Sequence, residues 1–132
     1  MKVPLVLAQA ALLAAAASVP AFAHHSVAAE FDPNQLLTVK GVITAVDWLN
    51  PHVHVYLDVT DGDGKVTKWS FESAPPLMLR RGGVTKEKMG IGQTVTVEGI
   101  RAKDAPNLGF LRKIIFADGH EIEMWTGEPP AK

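Results

Sequence analysis

Five histidines, at positions 24, 25, 52, 54 and 120, are the side chains here with the widest chemical reach, and four of them form two pairs. His52 and His54 lie two residues apart in a run that alternates polar and apolar, so on a strand their imidazoles project from one face. Two imidazoles and a carboxylate are a common ligand set for zinc, copper or non-haem iron. The bland alternative is a solvated strand face on which any polar side chain would serve. His24 and His25 follow Ala21-Phe22-Ala23, small residues at the positions a signal peptidase reads. A cut after Ala23 makes His24 the first residue, and its free α-amine and imidazole then form a bidentate nitrogen chelate. His25 and its backbone nitrogen add further donors. Cu(II) prefers such nitrogen-rich tetragonal sets and stands at the top of the divalent affinity order, so copper is expected ahead of zinc. A cut after Ala21 is also chemically permitted and abolishes the chelate, and an exposed His-His can bind metal opportunistically.

Other chemistries are excluded or unsupported. The chain of 132 residues has no cysteine, which removes disulfides, thiolate nucleophiles and iron–sulfur clusters. With 13 Lys plus Arg against 14 Asp plus Glu it has no cationic excess to neutralise phosphates, so nucleic acid is not expected as a partner. No serine sits in a nucleophile elbow, no glycine-rich phosphate loop follows a strand, and no carboxylate pair is set for acid–base work. A non-catalytic protein is expected. Asp58, Asp61 and Asp63 lack the loop length and bidentate Glu of a calcium hand and read as a turn. His120 follows the turn Asp118-Gly119 and reads as surface, and Met78, Met89 and Met124 read as packing residues.

The elements that must position these side chains follow from pattern. Residues 1–23 read as a secretory signal peptide: Lys2, an apolar stretch from Val3 to Val19, then Pro20 and the small-residue cleavage point. Export to the periplasm and no membrane span after processing are therefore expected. Residues 24–37, interrupted by Pro33-Asn34, read as a loosely ordered arm, residues 38–126 as the folded domain, and residues 127–132 as a flexible tail. Within the domain, Val39–Trp48 is a β-branched strand ended by Asn50-Pro51. His52–Val59 alternates with period two, and Lys65–Ser73 is its hairpin partner across Asp61-Gly62-Asp63-Gly64. Pairing residues whose numbers sum to 126 buries Val55 against Phe71 and Leu57 against Trp69. It also sets His54 opposite Glu72 and Asp58 opposite Lys68, whereas a one-residue slip mixes both faces. Pro75-Pro76 then opens a short helix ended by Gly82-Gly83, and Thr85 is positioned to cap a further turn through Met89. Strands follow over Gln93–Gly99, Phe110–Phe116 and His120–Trp125. Three strands, a short helix and further strands spell an all-β, OB-like barrel of five to six strands, with Gly41 and Gly99 at its bends. An open sandwich of the same strands is the competing arrangement.

Several segments together are similar to a family of small exported bacterial proteins of unknown function. They are Ala23-His24-His25-Ser26, Trp48-Leu49-Asn50-Pro51-His52, Trp69-Ser70-Phe71-Glu72, Gln93–Gly99 with Gly92 before it, and Asp118-Gly119. The resemblance implies a periplasmic β-rich domain and supplies no activity. Two functions stay open at this point. One is a monomeric module that binds or delivers a transition metal through His24, His25, His52, His54 and Glu72. The other is a metal-free accessory domain that docks a periplasmic protein or small ligand around Trp48 and Tyr56.

Overall fold

The period-two run from Val53 to Val59 needs a buried side and a wet side, and a closed barrel supplies both. The computed structural model describes residues 26–125. A single helical turn, α1 (Val27–Glu30), leads into β1 (Phe31–Asp47), then β2 (His54–Thr60) and β3 (Val66–Glu72). The helix α2 (Pro76–Arg81) and a 3-10 turn (Lys86–Met89) follow, then β4 (Thr94–Ala102), β5 (Leu108–Phe116) and the short β6 (Glu121–Glu123). The sheet order is β3-β2-β1-β4-β5-β6, and β3 also pairs with β5 in parallel, so five strands close into a ring with β6 added to β5. With α2 between β3 and β4, this is the OB-like barrel that the strand order predicts. Val53, Val55, Leu57, Phe71, Val97, Leu111 and Ile114 fill its interior with no exposed surface. Burying each such side chain contributes about 1.5–3 kcal/mol.

The hairpin register is the one that burial demands: Val55 faces Phe71, Leu57 faces Trp69, Asp58 faces Lys68 and His54 faces Glu72. Closing a small barrel also needs sharp bends, which two glycines supply. A Cβ on Gly41 would lie 2.7 Å from the Asp58 carbonyl oxygen, and one on Gly99 would overlap the carbonyl oxygen of Phe110. Gly99 stands where the β4–β5 register shifts, so the strands approach there more closely than any side chain permits.

The loosely ordered arm expected over residues 24–37 is corrected by the structure over its described part. β1 begins at Phe31, which pairs with Ala102 and is buried. Pro33-Asn34 does not end the strand. The register shifts between Asp32 and Leu36, and the Asp32 carboxylate accepts the Asn34 amide there at 3.0 Å. This early stretch, with α1, covers a second apolar cluster of Phe31, Ile100, Ala102 and Phe110, onto which Val27, Leu108 and Trp125 pack. Thr85 precedes the 3-10 turn as expected, but its side chain makes no capping bond. The signal peptide of residues 1–23, residues 24 and 25 of the arm, and the tail over 127–132 lie outside the described residues. No helix among the described residues is long and apolar enough to cross a membrane.

Gly99→Ala should lower stability by about 1–3 kcal/mol in urea unfolding, because backbone cannot yield as a flexible side chain can. Gly62→Ala, where an added Cβ meets nothing within 4 Å, should change it by less than about 0.5 kcal/mol. The Ser73 hydroxyl is buried without a hydrogen-bond partner among the described residues. Ser73→Ala should accordingly be neutral or stabilising, by up to about 1 kcal/mol.

Candidate functional site

Because β2 and β3 pair with residues summing to 126, the wet face of the hairpin carries His54 beside Glu72, Tyr56 beside Ser70 and Asp58 beside Lys68. The β1–β2 ladder extends the first of these rows, since Asp47 is the partner of His54. On the other side, Glu72 is the parallel-ladder partner of Phe110 in β5. A row of Asp47, His54, Glu72 and Phe110 therefore crosses four strands on the outside of the barrel. His52 lies just before β2, where Val53 still pairs with the stretch after β3 through bonds to Ser73 and Ala74.

Glu72 is the hub. One carboxylate oxygen contacts His52 Nδ1, and the other lies 3.9 Å from His54 Nε2. The carboxylate side chain is 14% exposed while the imidazoles are 30% and 35% exposed, so the rings screen the acid and remain open to solvent. The two rings take opposite oxygens, so the groups stand side by side. Among the described residues no group of three or more His, Cys, Asp or Glu is arranged as a preformed metal cage. Reaching one would require the rings to turn from the carboxylate oxygens toward a shared point about 2 Å from each donor.

Asp47 is the residue that sequence reasoning missed in this neighbourhood. It was legible only through the β1–β2 register, which contains an irregularity between Ile43 and Ala45 that pattern does not reveal. Its carboxylate accepts the Tyr56 hydroxyl at 2.9 Å. That hydrogen bond, with desolvation and the carboxylate charge behind it, raises the Tyr56 pKa above its ordinary value. Beside it, a pocket of about 240 Å³ is lined by Thr44, Tyr56, Asp58, Lys68 and Trp69.

Of the metal ligands expected from the sequence, the fold brings His52, His54 and Glu72 together, while His24 and His25 lie outside the described residues. His120 follows the turn at the surface, as expected. It is exposed, its Nδ1 lies 2.5 Å from Asp118, and its ring stacks on Phe116 at 4.0 Å. The His120 backbone amide, bonded to Asp118, holds that carboxyl below its usual pKa. Met89 and Met124 are buried packing residues, whereas Met78 is 52% exposed.

A family model described as "Family of unknown function (DUF6152)" matches residues 11–111. No curated protein and no solved structure matches the chain.

Tyr56 is the sole tyrosine of the sequence, so its ionisation can be followed directly by ultraviolet absorbance. The folded state holds the phenolic proton more tightly, so the hydrogen bond's contribution is complete below pH about 10 and is lost as pH rises through the raised pKa. The absorbance midpoint should lie above that of free tyrosine, and Asp47→Ala should return it toward the ordinary value.

Proposed function

We propose that this chain, which belongs to the family of unknown function DUF6152, is a binding module that takes a transition-metal ion at His52, His54 and Glu72. The observation that carries the reading is the convergence of both imidazoles on one carboxylate. The hairpin register that sets His54 opposite Glu72 is the one that core burial enforces. Two neutral imidazole nitrogens and one carboxylate oxygen suit a borderline ion, with Cu(II) ahead of Zn(II) on intrinsic affinity. In the metal-free state one carboxylate oxygen contacts His52 Nδ1, while His54 Nε2 stands 3.9 Å from the other and is free to reorient. Ligation requires the facing nitrogens to be unprotonated, so binding weakens as pH falls. We further propose export to the periplasm, where the protein holds or delivers the ion and catalyses no reaction.

A second reading, docking of a partner protein without metal, has its own support around the loop that follows β1. Leu49 is 65% exposed, and the Arg80 guanidinium of α2 lies 5.9 Å from the Trp48 ring. Exposed Leu77 and Met78 continue along α2. Such an apolar patch with a cation–aromatic pair suits a protein surface better than an ion.

Calorimetric titration with Cu(II) separates the two. His52→Ala, His54→Ala and Glu72→Gln should each weaken binding by at least about tenfold, equivalent to 1.4 kcal/mol, with circular dichroism unchanged. If all three isotherms match that of the unaltered protein, the metal reading is lost and the docking surface stands in its place.

A further inference from the structure

The helix α2 is six residues long and has two unlike sides. Pro76 and Leu79 are buried, whereas Leu77, Met78, Arg80 and Arg81 are exposed. Leu77, Arg80 and Arg81 stand three and four residues apart, so they share one helix face. The Arg80 guanidinium over the Trp48 ring joins that face to the loop after β1, where exposed Leu49 follows. At the other end of α2, Lys88 Nζ donates to Gly83 O at 2.7 Å, which ties the 3-10 turn, with Lys86 and Glu87, to the end of the helix. Four exposed cations thus accompany three exposed apolar side chains, with Glu87 the acid among them, in a chain whose formal net charge is -1. Among the described residues the ion pairs of Lys and Arg involve Lys68 and Lys113, so none of these four cations is in a salt bridge.

We propose that this face docks onto an anionic lipid bilayer, with Leu49 and Leu77 entering the headgroup layer and Arg80, Arg81, Lys86 and Lys88 meeting lipid phosphates. Docking of this kind uses none of His52, His54 and Glu72, so it stands apart from the metal reading, and it gives the patch of the second reading a lipid occupant instead of a protein. From Ala74 to Val84 the only polar side chains are Arg80 and Arg81. A protein interface carries about one hydrogen bond per 100–200 Å² and needs acceptors as well as donors. This segment supplies cations and apolar surface but no acceptor side chain. A bilayer surface needs no directional pairing: it takes up apolar side chains at the headgroup boundary and attracts each nearby cation. Trp48, half-buried beside Arg80, is an aromatic of the kind enriched at that boundary. Charge complementarity decides the lipid class, since cations gathered on one face of a slightly acidic chain call for an anionic partner. Acids at the border are engaged elsewhere: Asp47, next to Trp48, accepts the Tyr56 hydroxyl, and Glu123, which shares a pocket with Met78, pairs with Lys113. The contact is peripheral and spans nothing.

Sedimentation with vesicles tests this, using protein purified after export with its first residue confirmed by mass spectrometry, so that the apolar stretch Val3 to Val19 contributes nothing. Binding to vesicles of phosphatidylcholine with phosphatidylglycerol should be at least about tenfold tighter than to phosphatidylcholine alone, and should weaken as salt rises. Arg80→Gln with Arg81→Gln should weaken it by at least about tenfold. Leu49→Ser with Leu77→Ser should also weaken it by at least about tenfold, because apolar insertion is lost. All four positions are exposed, so circular dichroism should be unchanged. Lys65→Gln with Lys68→Gln removes the same charge at the far end of the β2–β3 hairpin and should retain binding within about threefold. Equal affinity for both kinds of vesicle overturns the proposal, as does an arginine pair or a leucine pair without effect. An equal loss from the lysine pair also overturns it, because bulk charge then acts in place of this face. No binding to either vesicle overturns it too and leaves the patch to a protein partner.

Discussion

The pairing register of β2 with β3 is the constraint on which the rest of this molecule depends. It is enforced from inside the barrel, where Val55, Leu57 and Phe71 have no exposed surface. A slip of one residue would turn one strand over relative to the other, bringing either His54 and Tyr56 or Ser70 and Glu72 into a dry interior at a cost of several kcal/mol for each ionisable group. The chemistry on the outside is therefore held in place by packing on the inside. His54 meets Glu72 because Val55 must meet Phe71.

Ring closure gives this row its second neighbour. Parallel pairing of β3 with β5 sets Phe110 beside Glu72, and Phe110 belongs to an apolar cluster outside the barrel wall. That cluster gathers residues from the start of β1, the end of β4 and the start of β5. The first residues of β1 pair with the end of β4, Phe31 with Ala102, and bring the Phe31 ring onto Phe110. A polar cluster with a hydrophobic flank follows, bordered by Tyr56 and Asp47 on one side and by the Phe31–Phe110–Trp125 aromatics on the other. One flank is polar and reaches solvent, and the other is packed, with Phe31 and Phe110 buried.

The His52–Glu72–His54 arrangement also has an economy that separates it from an ordinary surface ion pair. A single carboxylate serves two imidazoles through its two oxygens and is itself more sheltered than either ring. Exposed ion pairs typically contribute 1 kcal/mol or less, so stability alone is a poor reason for such a cluster. His120 offers the contrast: it stacks on Phe116 and bonds Asp118, two residues away, as a turn requires.

Amino-acid order alone determined the β2–β3 hairpin, its register, the helix opened by Pro76, the Asp118-Gly119 turn and the OB-like strand order. Each of these rests on short-range alternation, turn chemistry or burial that a linear pattern records. It also nominated His52, His54 and Glu72, since residues opposed across one hairpin can be counted. Asp47 escaped notice because the β1–β2 register shifts at Ile43–Ala45, and the length of β1 was hidden because Pro33-Asn34 looks like a break until a register shift absorbs it. The outer cluster was equally hidden: Phe31, Ile100 and Phe110 lie far apart in the chain, and only closure of the ring brings them together. Local periodicity carries no information about which distant strands become neighbours, and so tertiary structure alone decided what stands beside Glu72.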